Sequence, residues 1–175
     1  MVPPPPWDRF LREVDAKLTT GVTLHCIGGF ALTILYDLPR PTGDLDYNSV
    51  TPQSMSEKRD EIAGQASRLA SKYKVCVHST GIVDLPDEYE TRLSALPLGF
   101  ERLVIAVPDP YDLVLSKLTR NSPKDRADVK FLAEKRGLSW ENLMARFDKE
   151  MRPWIPNLER HLTTLNAVWR DYFGH

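Results

Sequence analysis

The chain has 175 residues, 42% of them hydrophobic and 27% charged, with 23 basic and 24 acidic side chains and a formal net charge of −1. That length and mix suit a globular chain of one domain, or one domain with an appendage, and exclude a disordered tail or a fibre. No run approaches the roughly 20 uncharged apolar residues of a membrane-spanning helix, and the near-neutral total argues against an obligate nucleic-acid binder. The opening MVPPPPWDRF has neither the basic start nor the apolar run of a secretory signal, so a cytoplasmic location without membrane partners is expected. Cys26 and Cys76 sit in short apolar runs with neither disulfide nor zinc spacing, which predicts two buried, chemically idle thiols.

Pro3 to Pro6 form a stiff lead-in over residues 1–6. Apolar positions Trp7, Phe10, Leu11, Val14 and Leu18 recur at helical spacing until Gly21. Val22–Ile27 reads as a strand, Gly28-Gly29 as a turn, and Phe30–Tyr36 as a short apolar helix. Pro39 and Pro41 break the chain, and Asp44–Val50 resumes as an extended segment. Pro52–Tyr73 is polar with an Ile62, Ala66, Leu69 stripe, which predicts one helix packed on a sheet. Lys74–His78 and Leu103–Val107 read as strands, and Asp84–Leu98, between them, as a loop broken by prolines with room for one helical stretch. Helices are expected over Pro110–Thr119 and Pro123–Arg136, each entered through a capping residue and a proline, and two more from Ser139 onward. Strands before residue 108 and helices after it predict an α+β fold: a small mixed sheet with flanking helices and a helical C-terminal cap.

The sequence GDLDY places Asp44 and Asp46 two apart on a predicted strand, whose period of two aims both carboxylates to one side. Two converging carboxylates suit Mg²⁺, a hard cation that keeps several waters, with Mn²⁺ as an alternative. Spacing alone is weak, because Glu13/Asp15, Glu88/Glu90 and Asp148/Glu150 share it by composition and read as solvated faces. The distinguishing context is the strand that ends in Gly28-Gly29 and opens a helix, an arrangement that can present backbone N–H groups to a phosphate chain or serve as a plain tight turn. Arg40 can contact phosphate or hold its loop by pairing with a carboxylate.

Two further charges fall on apolar helical faces. Lys117 shares a stripe with Leu113, Val114 and Leu118, and Asp125 and Asp128 share one with Val129 and Leu132. Asp125 fits a capping box begun by Ser122. Asp128 lacks that excuse, so Lys117 and Asp128 are expected to pair or to face one polar cleft unless they reach solvent. Residues 116–136 carry seven basic against three acidic side chains, a positive wall suited to a polyphosphate or RNA.

The run CIGGFALTILYDLPRPTGDLDY, followed by DPYDLVLSKLTRNSPKDRADVKFL, resembles the minimal bacterial nucleotidyltransferases of the DNA polymerase beta-like superfamily, and within it the abortive-infection, toxin-type group. The likeness spans residues 22 to 135. It implies nucleotide and Mg²⁺ binding by Gly28, Gly29, Asp44 and Asp46, with Lys117 and Asp128 completing the site and Asp125 a weaker candidate. It also implies transfer of a nucleoside monophosphate from an NTP to an RNA such as tRNA, or to a protein, and a toxin or phage-defence role with a cognate antitoxin. Two departures leave an inactive module that binds nucleotide, RNA or protein as the alternative. Gly29 stands where many relatives have serine, and the nearest candidates for a third metal carboxylate are Asp84 and Glu101. The expected division is a lead-in at 1–6, a nucleotidyltransferase-like domain at 7–138 and a helical extension at 139–175.

Overall fold

The two most apolar strands of the chain, β1 (Val22–Ile27) and β5 (Leu103–Val107), pair in parallel inside a five-stranded sheet. Most of their side chains are buried in succession rather than alternately, the pattern of interior strands. The strand β2 (Asp44–Thr51) runs antiparallel to β1 with a register shift between His25 and Cys26. One edge is β3 (Cys76–Ser79), parallel to β2; the other is the two-residue β4 (Ser94–Ala95), antiparallel to β5. The order is therefore β3-β2-β1-β5-β4, a mixed sheet, and the expected α+β class holds. The computed structural model describes residues 1–173; the last two residues of the expected extension, 174 and 175, lie outside the described residues.

The chain forms two compact units. The first comprises residues 1–82 and 93–107, the second residues 83–92 and the chain from 108 onward.

In the first unit, α1 (Trp7–Lys17) buries Trp7, Phe10, Leu11 and Val14 as one stripe, and the Trp7 ring meets Phe30 edge-on at 4.7 Å. Asp15, at the end of α1, accepts backbone N–H groups of Glu101, Arg102 and Leu103, which ties the helix to the start of β5. Burial pushes its carboxyl up, and those three bonds outweigh it to hold the pKa below the usual range. The single helix expected over Pro52–Tyr73 is instead α3 (Ser56–Ala63) and α4 (Arg68–Tyr73), preceded by a 3₁₀ turn. The break falls at Gly64, whose backbone is extended and where a Cβ would lie 2.6 Å from the Asp60 carbonyl oxygen, so the turn out of the helix takes glycine. Ser67 then starts a new helix by accepting the Ala70 N–H at 3.0 Å. Buried Arg59 of α3 stacks its guanidinium over the Tyr47 ring at 4.2 Å and hydrogen-bonds the Tyr47 hydroxyl, fastening α3 to β2.

In the second unit, α5 (Pro110–Leu115), α6 (Pro123–Arg136) and α7 (Trp140–Glu150) start at Asp109, Ser122 and Ser139, each accepting the backbone N–H three residues on. Ser122 and Asp125 form the expected capping box, and Gly137 ends α6 in the left-handed conformation. Expected to reach Thr119, α5 stops at Leu115, because the N–H groups of Lys117 and Leu118 bond back three residues and tighten the chain. Asn121 at φ +44° and Pro123 then prevent continuation. The final helix α8 (Leu158–Thr164) runs into a π turn over Leu165–Trp169. The unit's core gathers Leu113, Val129, Leu132, Leu143, Phe147, Leu165 and Trp169. Segment 83–92, within the stretch expected as loop with one helical piece, ends in a 3₁₀ turn over Tyr89–Arg92, whose Arg92 forks onto Asp112 of α5 at 2.9 and 3.0 Å and Glu150 of α7 at 2.7 and 3.1 Å.

Candidate functional site

On β2, Asp44 and Asp46 alternate with buried Leu45 and Tyr47, so both carboxylates leave the strand on the opposite face. Asp46 pairs in register with Ile27, the last residue of β1. The next residue, Gly28, opens α2 (Gly28–Tyr36) at φ +77°, and a Cβ on it would lie 2.8 Å from Asp46 Oδ2. Glycine is thus required at 28 twice over, by backbone and by space. Gly29 is different: its Cβ would meet Thr42 Oγ1 at 3.4 Å and Arg40 Nη2 at 3.7 Å, ordinary contacts.

The loop between α2 and β2 folds back over the helix start. Thr33 donates to the Arg40 carbonyl at 3.1 Å and Thr42 to the Asp44 carbonyl at 3.0 Å. The Arg40 guanidinium is thereby brought beside the first turn of α2. Ile27 at the N-cap makes no side-chain bond to that turn, and a helix start of this kind is suited to present N–H groups to an anion. Gly28, Gly29, Arg40, Asp44 and Asp46 accordingly lie together within the first unit.

Two residues without an expected role join them from β3. Cys76 lies opposite Asp44 and His78 opposite Asp46. Cys76 Sγ donates to Asp44 Oδ1 at 3.3 Å, and His78 Nδ1 is 3.3 Å from Asp46 Oδ1. Both cysteines are buried, as expected. Burial, with the bond to Asp44 and the two carboxylate charges, pushes the Cys76 thiol up to about 11, and burial pushes Cys26 up as well. The signal available in the sequence was the matching period, C-x-H against D-x-D; the pairing that aligns them is tertiary.

Among the described residues no group of three His, Cys, Asp or Glu has the geometry of a metal site. Two carboxylates on one face, with Asp46 Oδ2 aimed at a position where only glycine fits, still suit Mg²⁺, which is commonly held by one or two carboxylates with water and substrate phosphate completing its shell.

In the second unit, Lys117 and Asp128 form the expected pair: Nζ donates to Asp128 Oδ2 at 2.9 Å and lies 3.6 Å from Asp125 Oδ1, with all three side chains buried. Lys117 stands in the turn after α5 rather than on the helix. Asp125 also takes a two-pronged bond from Arg120 at 2.7 and 2.6 Å and the Ser122 hydroxyl at 2.6 Å. Burial works to raise its pKa, but Arg120, Ser122 and Lys117 hold it well below the usual carboxylate range. Asp84 is on no strand; it belongs to this unit and accepts from Thr119 at 2.5 Å. Glu101 is an exposed bend residue before β5, so neither Asp84 nor Glu101 stands on the strand beside Asp44 and Asp46.

Residues 8–174 match the model of a family described as "Nucleotidyltransferase of unknown function (DUF6036)". No curated protein and no solved structure matches the chain.

Proposed function

This chain belongs to the nucleotidyltransferase family whose model it matches, and from that premise we propose that it moves a nucleoside monophosphate from an NTP to an acceptor hydroxyl with Mg²⁺. The observation that carries the reading is the meeting of the Asp44/Asp46 face with the glycine-led start of α2. Asp44 and Asp46 would hold the metal; when bound, it supplies charge neutralisation at the triphosphate and activation of the acceptor oxygen. The backbone N–H groups of Gly28 and Gly29 and the Arg40 guanidinium would orient phosphate oxygens and stabilise the charge that shifts onto the departing pyrophosphate. The acceptor oxygen bonds to the α-phosphorus as the bond to the β-phosphate oxygen breaks, and the hydroxyl proton leaves to water.

Lys117 has its charge already matched by Asp128 and Asp125, which favours a structural role for this cluster over phosphate binding. The acceptor we propose is RNA, such as tRNA, with a protein hydroxyl as the other outcome of the test. The toxin or phage-defence role and the antitoxin partner rest on the sequence resemblance, and unimpaired growth on expressing the gene alone would count against them. One observation favours a second reading, an inactive module that binds nucleotide, RNA or protein: no third acidic side chain joins the pair among the described residues. Incubation with labelled NTPs, Mg²⁺ and either total RNA or lysate protein separates the two. Label on RNA, lost in Asp46→Ala, supports the enzyme; NTP binding without transfer, indifferent to Mg²⁺ and to Asp44→Ala, supports the module.

A further inference from the structure

The edge strand β3 presents two side chains to the Asp44/Asp46 face, and neither is a carboxylate: a thiol and an imidazole can each donate a hydrogen bond to one. Cys76 and His78 stand in register with Asp44 and Asp46, with Val77 between them turned to the core. A carboxylate only accepts, so the His78 contact is a bond when Nδ1 carries the hydrogen. Each donor reaches the Oδ1 atom of its own aspartate at 3.3 Å. Both Oδ2 atoms are left by these donors, and that of Asp46 is the one aimed at the start of α2. We propose that Cys76 and His78 are positioning residues: they fix the rotation of the two carboxylates so that the Oδ2 atoms converge on the metal and the NTP phosphates. The proposal rests on the metal-dependent reading above and deepens it.

The physical need is clear from the strand itself. Asp44 is exposed and Asp46 half-buried, so β2 alone does not hold either carboxylate in one rotamer. A ligand left free to rotate loses conformational entropy each time it binds, and removal of the groups that orient metal ligands typically weakens affinity about 10- to 100-fold. His78 is 56% exposed, which makes it a poor contributor to the core, and its substitution separates positioning from folding. Cys76 is buried, so it is tested by the near-isosteric serine, which keeps a donor, and by alanine, which does not.

The test is titration of the whole chain with Mn²⁺ alone, followed by the loss of the free-ion paramagnetic resonance signal, alongside a thermal melt of each variant. His78→Ala and Cys76→Ala are each expected to raise the Mn²⁺ Kd about 10-fold, with His78→Asn and Cys76→Ser returning it to within about 3-fold of the parent. The melting temperature of His78→Ala should stay within about 2 °C of the parent, as for an exposed side chain. Unchanged affinity in both alanine variants, while Asp46→Asn loses binding, would overturn the positioning role and leave the metal reading standing. Equal weakening by His78→Ala and His78→Asn would overturn the donor explanation. Failure of the parent chain to bind Mn²⁺, or parent-like binding by Asp46→Asn, would overturn the metal reading and the positioning role together.

Discussion

Replacing Lys117 with methionine removes an ammonium that is 4% exposed and sits 2.9 Å from Asp128 and 3.6 Å from Asp125. At that first distance, with an effective dielectric constant of about 20, the attraction is about 6 kcal/mol, and desolvation of the two ions consumes most of it. The intact pair is therefore worth little net, whereas removing one ion leaves the other buried with its charge poorly compensated, which is expensive. Lys117→Met should cost about 4 kcal/mol, since it takes the ammonium from Asp128 while Asp125 keeps Arg120 and Ser122. Asp128→Asn should cost less, about 2–3 kcal/mol, because Lys117 retains Asp125. The double variant should fall short of the sum by about 2 kcal/mol. Urea melts of the four proteins measure all three quantities. Single losses below about 0.5 kcal/mol that simply add would refute the argument, as they would describe two side chains solvated independently.

Gly28→Ala should lower both stability and nucleotidyl transfer, because it forces φ +77° on an L-residue and sets a Cβ against Asp46; Gly29→Ala should be within about 0.5 kcal/mol of the parent by melt and keep most of the transfer. Arg92→Ala should cost about 3 kcal/mol by removing the guanidinium that buried Asp112 and Glu150 share, although Asp112 keeps Arg146 and Glu150 keeps the Glu88 N–H; Arg92→Lys should recover less than half, since an ammonium cannot fork onto both. His161 is buried, and desolvation, helped by Arg160, lowers its pKa below the usual 6.5. The unfolded chain takes up that proton first, so stability is full above 6.5 and declines as pH falls from there toward the folded pKa. The slope of melting temperature against pH in that window should flatten in His161→Leu.

The period-two alternation of Asp44, Leu45, Asp46 and Tyr47 was legible because one face of β2 is core and the other is not. The glycine-led start of α2 and the capping box at Ser122 were legible for a similar reason: both are local, and the backbone demands those residue types. Lys117 shows a correct partner reached through an incorrect element. The apolar stripe signalled burial, but the turn after Leu115, not a continued helix, delivers the ammonium to Asp128. The helix over 52–73 failed because its stripe outweighed Gly64, whose backbone approach to Asp60 is a packing fact rather than a periodicity. The sequence showed Cys76 as a buried thiol but not its neighbour, since nothing in CVHS states which strand it joins, and only the β2–β3 register sets Cys76 and His78 beside the two candidate aspartates. The Arg92 anchor escaped for the same reason, its partners lying 20 and 58 residues along the chain.

The central claim is tested most directly by presenting the protein and total RNA with Mg²⁺ and one NTP labelled at either the α- or the γ-phosphate. The account predicts label on RNA from the α-phosphate alone, absent when the metal is chelated and absent in Asp46→Asn. Transfer from the γ-phosphate, or α-label transfer undiminished in Asp46→Asn, would contradict it.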